Sequence, residues 1–576
     1  MDSSPRPQYL EDQEAQTKAG GKRGGWITLP FIVGTCMQPL CLSVSLSLRV
    51  FMVTHMHAAT MLGLGLAVNG TTSNMLVYLL KEYHVDGVKA AQIANVVRGS
   101  LNLVPIAGAV LSDSYLGCFP VILAGAAINV LAFVLFTLTA ALPSLRPPHC
   151  TLSSAECQQG SPGQLFVLYA AICLLAIGAG GTRFNIATMG ADQFNSTHDK
   201  DSFFNWYLVF LYASFMLGDT AIVYIQDSVS WAVGFGVCLA TTAFGTIMLL
   251  LGVCYYRMPA TKASPYTELA RVIVAAVRKG SIKVGGAQGS VQYNVGAGAV
   301  VDPSGDGAPS KSLRFLNRAA MITTSDKSSI SGDASAGAWR LCTVQQVEDL
   351  KAVVSVFPLW SSGILLFMSI GVMIGMIVLQ ALAMDRSVGP HFSIPAGSVG
   401  VSCRVSFILA TLVLDRAIFP LWRRITGGTP PTPLQRVGIG HVLNVGALVA
   451  AALVERRRLA QPGVPMSVMW LLFPMGIAGV GEALHFPGNM AFYYQEFPKT
   501  LRSLATAMAP MLVALGFFSS TMFMDVVTRV TVWLPENIDH GRLDNVYWTL
   551  AAVGTFNFAY FLACDRRYKY HNRTAM

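Results

Sequence analysis

Residues 119–141, FPVILAGAAINVLAFVLFTLTAA, form an uncharged apolar stretch that is long enough to cross a lipid bilayer as one helix. A bilayer-spanning helix needs about 20 mostly apolar residues. The same window finds seven candidates before a polar central stretch and six after it. They lie near residues 27–53, 59–81, 91–112, 119–141, 165–188, 204–225, 230–254, 353–380, 400–421, 437–454, 467–490, 504–527 and 546–564. Because no strand-like alternation of the barrel kind is present, the spans are predicted to be helices.

The composition indicates a membrane protein rather than a soluble one. Charged residues make up 12% of the 576 residues, against about 25% in an average soluble domain. Hydrophobic residues make up 53%, and the mean hydropathy is +0.51. The 40 basic and 30 acidic residues are too few to cover several soluble domains. These values exclude a soluble multidomain enzyme and a disordered chain, and they predict a polytopic protein whose partner is the lipid bilayer.

The positions of the basic residues orient the predicted spans. The central stretch 255–352 carries 12 Lys and Arg against 7 Asp and Glu, so the positive-inside rule places it in the cytosol. Arg423, Arg424 and Arg436 mark a second cytosolic loop. Alternation from these anchors places the run Glu455–Arg458 on the outer side, against the rule. Because the surplus charge follows one membrane face and forms no compact basic domain, no nucleic-acid partner is predicted.

Five regions follow from the spans and the charges. They are a cytosolic N-terminal tail (1–25), an N-terminal transmembrane bundle (26–254), a cytosolic linker (255–350), a C-terminal transmembrane bundle (351–564) and a cytosolic tail (565–576). Early in the linker, an amphipathic helix with Val272, Ile273, Ala276 and Val277 on one face is predicted to lie on the membrane. Residues 284–311 are rich in Gly, Ser and Pro and are predicted to be disordered.

Seven spans before the linker and six after it do not form two halves of equal size. Both ends of a twelve-helix protein lie on one side of the membrane, whereas a thirteenth crossing would separate them. The odd element is Cys36–His57, which is apolar but carries Arg49, His55 and His57. Residues Thr35–Ala58 therefore either form an additional helix or interrupt the first helix as an insertion.

Five sequence motifs carry a family resemblance. They are GAVLSDSYLG at Gly108–Gly117, GAGGTRFNIATMGADQF at Gly178–Phe194, FFNWY at Phe203–Tyr207, QVEDLK at Gln346–Lys351 and HFPGNMAFYYQEFP at His485–Pro498. Together they resemble the plant nitrate transporter 1/peptide transporter family, a branch of the proton-coupled oligopeptide transporters. The last motif is most similar to the branch of nitrate excretion transporters.

The resemblance implies an all-α membrane protein of the major facilitator superfamily, with 12 transmembrane helices in two six-helix bundles. It implies transport without enzymatic activity or a cofactor, in the plasma membrane rather than the vacuolar membrane. Proton-coupled members of the family carry a Glu-x-x-Glu-Arg/Lys motif in helix 1, whereas this chain has no Asp or Glu between Trp26 and Leu80. This departure favours efflux, uniport, exchange or only weak proton coupling.

Ionisable residues inside spans are costly and are therefore candidate functional residues. Arg98 and Arg183 are predicted to bind an anion from the first half. Arg183 falls on the family's helix-4 lysine, and an arginine does not readily release its proton. Glu482 falls on the family's helix-10 glutamate, and His485, one turn on, shares its face. Structural ion pairs for the arginines, snorkelling of Arg98 to the interface and a hydrogen-bond lock for Glu482 and His485 are the alternatives.

Three aspartates are predicted to hold the structure or its gates. Asp219 lies mid-span and is expected to pair with an arginine, or else to carry a proton if burial raises its pKa. Asp113 and Asp192 lie at cytosolic helix ends, where a gating role is expected.

The predicted substrate is nitrate or another small anion such as chloride, moved by alternating access. This choice rests on the resemblance, and the excess of basic over acidic candidates agrees with it. One alternative is a proton-coupled carrier of peptides or larger organic metabolites such as a hormone or a glucoside. A second is a non-transporting or inactive member of the family.

Overall fold

The structure is a computed structural model. It describes residues 65–148, 158–191, 211–251, 253, 265–280, 292–296, 299–301, 308–323, 339–427, 431–461, 465–498, 501–535 and 537–568. The suspected insertion Thr35–Ala58 and the candidate gating residue Asp192 lie outside these residues.

Helices account for most of the described chain. Before the linker they are α1 (residues 65–82), α2 (Gly87–Leu111), α3 (Cys118–Ala141), α4 (Pro162–Thr182), α5 (Asn185–Ala191), α6 (residues 211–229) and α7 (Trp231–Leu251). In the linker and after it they are α8 (Pro265–Arg278), α9 (Arg314–Asn317), α10 (Val344–Leu382), α11 (Val401–Val413), α12 (Pro433–Leu459), α13 (Leu472–Glu496), α14 (Arg502–Val530) and α15 (Leu543–Arg567).

Several helices are extended or interrupted by π turns. Ser112–Leu116 extends α2, and Leu414–Ile418 leads α11 into a further helical segment, Phe419–Ile425. Helix α6 contains two such turns, Gly218–Ile222 and Ile225–Val229. Single π turns widen a helix locally and are common at functional sites.

The all-α fold predicted from hydropathy is confirmed. Ten helices in the described residues are long and apolar enough to cross a membrane. Two further helical stretches, α1 and α6, coincide with predicted spans. Together with the ten span-length helices they agree with twelve transmembrane helices. The strands form only two short antiparallel pairs in the described part, β1 (Tyr293–Gly296) with β2 (Ala299–Val301) and β3 (Ser387–Val388) with β4 (Phe392–Ser393).

Local sequence signals fix where three of the long helices begin. Ser161, Thr343 and Thr432 each cap a helix N-terminus, and each exchanges hydrogen bonds with the glutamine three residues later. These capping boxes satisfy backbone N–H groups that have no partner inside the helix. In α4 and α12 a proline also follows the cap, where its missing N–H costs nothing.

The described residues group into two compact units. The first contains residues up to Val85 together with those from Val104 to 253, and the second contains Asp86–Leu103 together with the residues from 265 onward. Within the first unit, α2 and α4 approach so closely that a Cβ on Gly108 would lie 2.0 Å from the carbonyl oxygen of Gly180. Only glycine permits this backbone contact, which is how small residues bring membrane helices together.

The second unit has an apolar core formed by α10, α12, α13, α14 and α15. Its largest buried side chains include Trp360, Phe492, Tyr493 and Phe561. The indole Nε1 of Trp360 donates a hydrogen bond of 3.0 Å to the carbonyl of Met508, so the polar group of this buried ring is satisfied.

Part of the linker packs as a small cluster against the start of α10. Val272 and Ala276 of α8 are buried there, with Tyr293 of β1 in the same cluster. Ile273 and Val277, from the same predicted apolar face, are 49% and 74% exposed. The apolar face of α8 is thus divided, because the protein itself covers the half that points to α10. The β1–β2 pair lies inside the stretch for which composition predicts disorder.

Candidate functional site

Arg98 lies on α2 and is held by a buried asparagine. Its Nη1 donates to Asn95 Oδ1 at 3.4 Å. The amide of Asn95, which is fully buried, donates to the carbonyl of Gly371 at 3.1 Å and to Ser520 Oγ at 3.0 Å. One asparagine therefore joins α2 to α10 and α14 and orients the guanidinium. The sequence signal for it is a polar residue one turn before an intramembrane arginine.

Arg183 follows the last residue of α4. Its backbone N–H donates to the carbonyl of Ala179 at 3.0 Å, and its side chain is half-buried. A positive charge at this end of a helix is favoured by the helix dipole. Around it, Thr182 and Asn185 turn their side chains back to the carbonyls of Gly178 and Gly181, so they satisfy local backbone groups.

Asp219 is buried in the first unit, where Ser73 of α1 donates a hydrogen bond of 2.5 Å to its Oδ1. It stands in the π turn Gly218–Ile222 of α6, beside a close approach of α1: a Cβ on Gly70 would lie 2.6 Å from Ile222. The hydroxyl contact fits a structural role, which stays a prediction. Asp113 is half-buried in the π turn that ends α2.

Glu482 and His485 share α13 but have different neighbours among the described residues. Cys403 of α11 points its thiol at Glu482 Oε2, 3.9 Å away, and the adjacent Arg404 interacts electrostatically with the same carboxylate. His485 instead faces Asn489, whose Nδ2 lies 3.2 Å from its ring nitrogens. The helical spacing thus places the two side chains on neighbouring faces with distinct surroundings.

Two ionisable residues near this region were missed by the sequence reasoning. Arg404 lies near the start of α11, and its signal is an arginine inside an apolar stretch. His441 of α12 is buried, and its ring centroid lies 5.1 Å from that of His485. A lone histidine in a span gives no indication of its partner, because the partner comes from another helix.

A buried cluster of charged and polar side chains lies at the C-terminal end of α12. Gln380 donates to Glu455 Oε2 at 2.6 Å, and Arg458 donates to both oxygens of the same carboxylate at 2.9 and 2.8 Å. Tyr547 of α15 donates to Gln380 Oε1 at 2.9 Å, and Arg458 also bonds Asp539. We call these five residues the Glu455 cluster. It satisfies a carboxylate that is fully buried.

No group of three or more His, Cys, Asp or Glu side chains that could hold a metal ion occurs in the part of the chain that the structure describes. Asp219 and Arg98 are instead bonded to polar side chains, and Glu455 is bonded to Arg458. Span-length helices, two compact helical units and a few oriented charges within apolar helices define a multi-span membrane protein.

Comparisons with known proteins identify the kind of transporter. The sequence profile of the POT family, PTR2, matches residues 119–539. NRT1/PTR family protein 2.6 of Arabidopsis thaliana is 43% identical over 574 residues, covering 98% of this chain and 96% of its own. NRT1/PTR family protein 2.3 of the same plant is 41% identical over 565 residues, covering 97% and 96%. This chain therefore belongs to the POT family, and it is a transporter rather than an enzyme.

Solved structures agree on the fold. An auto-inhibited POT family peptide transporter covers 95% of this chain and 99% of its own at a TM-score of 0.66, with 14% sequence identity. The POT family transporter PepTSo gives the same coverage and identity at a TM-score of 0.67. These likenesses confirm the helical transporter architecture that the sequence motifs predict.

Proposed function

We propose that this POT family transporter moves nitrate or another small anion such as chloride by alternating access. It works by efflux, uniport or exchange, or with only weak proton coupling, and it acts in the plasma membrane. In this proposal Arg98 and Arg183 attract the anion, and Glu482 and His485 line the pathway. Asp113, Asp192 and Asp219 hold gates or structural pairs.

The observation that carries the proposal is the anchored arginine at the centre of α2. Arg98 is half-buried in an apolar helix, and a buried asparagine orients its guanidinium. A guanidinium stays charged at any physiological pH and presents several N–H donors to an anion. The absence of Asp and Glu between Trp26 and Leu80 removes the usual acidic proton carriers from the first predicted span, which supports weak proton coupling.

Anion flux in oocytes tests the proposal. We expect fluxes of labelled nitrate and chloride above those of uninjected cells. An imposed pH gradient should change these fluxes only slightly. If neither nitrate nor chloride is transported while a dipeptide, hormone or glucoside is, the protein is a carrier of larger organic solutes. If surface-labelled protein moves none of these solutes, the inactive alternative holds.

Arg183→Gln tests the arginines directly. The change removes a fixed positive charge, and nitrate flux is expected to fall to background. Arg529→Gln is the matched control, because Arg529 pairs with Asp525 on the surface and is 76% exposed, where an ion pair contributes little. If Arg183→Gln and Arg529→Gln show equal flux at equal surface expression, Arg183 is not part of the anion pathway.

A further inference from the structure

A pair of buried imidazoles lies where α12 crosses α13. His441 and His485 are each 2% exposed, and their rings meet edge to face at 5.1 Å and 85°. The helices are in their tightest contact here, since a Cβ on Gly440 would lie 2.7 Å from His485 Cβ and 3.0 Å from the carbonyl oxygen of Gly481. Two titratable rings therefore occupy a crossing that leaves little space for other groups.

The surroundings of the pair are mostly aromatic. Phe367 of α10 lies 5.6 Å from the ring of His485, and Phe561 and Phe558 of α15 lie 5.0 and 6.4 Å from that of His441. An apolar cage makes a charge costly unless hydrogen bonds compensate for it.

Few charged side chains stand near the pair along the packed helices. Within two turns of the histidines, α12 carries Arg436, which stacks on Phe419. In the same interval α13 carries Glu482, whose described neighbours Cys403 and Arg404 lie on α11. One turn beyond Phe561, α15 carries Asp565 and then Arg566 and Arg567. The α10 residues within two turns of Phe367 are uncharged.

The hydrogen bonding of the pair is incomplete. Asn489 Nδ2 donates to the carbonyl of His485 at 3.1 Å and also faces the ring nitrogens of His485 at 3.2 Å. His441 Nε2 and, one turn on, Asn444 Oδ1 are both buried without a hydrogen-bond partner among the described residues. A buried polar atom that lacks a partner carries a desolvation penalty. Protonation gives an imidazole an N–H at both ring nitrogens, and Asn444 Oδ1 is an acceptor that such an N–H could satisfy.

Asn489 links the ring of His485 to a second polar side chain. Its Nδ2 faces the ring nitrogens and donates to the His485 carbonyl, and Tyr493 donates to its Oδ1 at 3.2 Å. The hydroxyl of Tyr493 thereby fixes the orientation of the amide that faces His485.

We propose that His441 and His485 together bind one proton and form the proton site of this transporter, in place of the acidic motif that its first span lacks. The proposal rests on the proposed function and accounts for weak coupling. Protonation places one positive charge between α12 and α13, and it thereby favours a conformation in which the two helices pack less tightly. A ligand shifts a conformational equilibrium by its differential affinity for the two states, and here the ligand is the proton.

The test is the pH profile of nitrate flux between about pH 4.5 and 7.5, which extends below the range in which exposed histidines titrate. A single proton site gives the wild type a slope of up to about tenfold per pH unit, levelling off at one end. His441→Gln is expected to retain flux and lose the slope, whereas His485→Gln also alters the pathway and is expected to lose the slope in whatever flux remains. His391→Gln, in the exposed β3–β4 turn, should keep the wild-type profile. A wild type without pH dependence, or glutamine variants with the wild-type slope, overturns the proposal.

A more conservative variant is used if the glutamine variants do not reach the membrane. Tyr493→Phe removes only the hydroxyl that orients Asn489, so it is expected to move the midpoint of the pH profile and retain the slope. An unmoved midpoint overturns the role of the pair. If nitrate does not move but another solute does, the proposed function fails, and the same variants measured with that solute still decide on the proton site.

Discussion

Removing Arg458 from the Glu455 cluster should destabilise the second unit strongly. Glu455 is fully buried, and two of its three described hydrogen bonds come from Arg458. Arg458→Met retains much of the aliphatic bulk but leaves the carboxylate with Gln380 alone. Breaking a buried ion pair by removing one partner costs about 3–5 kcal/mol, because the remaining charge is uncompensated. The free energy of unfolding should fall by that amount.

The structure supplies graded comparisons for this prediction. Asp539→Asn removes the outer contact of Arg458, and Asp539 is 55% exposed, so its loss should cost no more than about 1 kcal/mol. Arg456→Met removes the same charge from an exposed neighbour and should change stability by less than about 0.5 kcal/mol. The double variant Glu455→Gln/Arg458→Met removes both charges and should recover most of the loss.

The assay is thermal unfolding of the purified protein in detergent, followed by the loss of the monodisperse peak in size-exclusion chromatography. The four variants form a graded series in which Arg456→Met is the surface control. The reasoning is refuted if Arg458→Met has the same melting temperature as Arg456→Met. It is also refuted if the double variant is less stable than Arg458→Met.

Two further predictions concern buried polar groups. Asn95→Ala should lower stability by about 1–3 kcal/mol, because it removes two buried hydrogen bonds, to the Gly371 carbonyl and to Ser520 Oγ, that join α2 to α10 and α14. The same melting assay checks this prediction, and an unchanged melting temperature contradicts it. Burial raises the pKa of the Cys342 thiol to about 11, so Cys342 should react slowly with maleimide at neutral pH and rapidly in denaturant. Fast labelling of the folded protein, measured by mass spectrometry, would show that the thiol is accessible.

Hydropathy predicts the membrane-crossing part of each helix well and its ends poorly. The predicted spans 119–141 and 230–254 agree closely with α3 and α7. The predicted span 353–380, by contrast, covers only part of α10, which begins at Val344. The charged motif at its start lowers the hydropathy, yet the helix continues through it because Thr343 and Gln346 form a capping box. A hydropathy window responds to lipid contact and does not detect hydrogen bonds at helix ends.

The candidate site divides in a similar way. Arg98, Arg183, Glu482 and His485 are detectable because a charged or titratable residue in an apolar stretch stands out. Asn95 is also detectable, one turn before Arg98 on the same helix, whereas His441 is an ordinary residue until the packing of α12 against α13 brings it beside His485. The suspected pairing of Glu482 with His485 follows from helical spacing alone, whereas tertiary contacts determine what each side chain faces.

The Glu455 cluster also bears on how the chain is inserted during synthesis. In the topology predicted from the sequence, the arginine run at the end of α12 opposes the positive-inside rule. The Arg458 partner Asp539 lies 81 residues further along the chain. At about 5–20 residues per second, the ribosome needs roughly 4–16 s to add that segment. During this interval Arg458 has Glu455, three residues earlier, as its only cluster carboxylate. The nascent helix therefore brings its own counter-charge into the translocon before Asp539 and Tyr547 have been made.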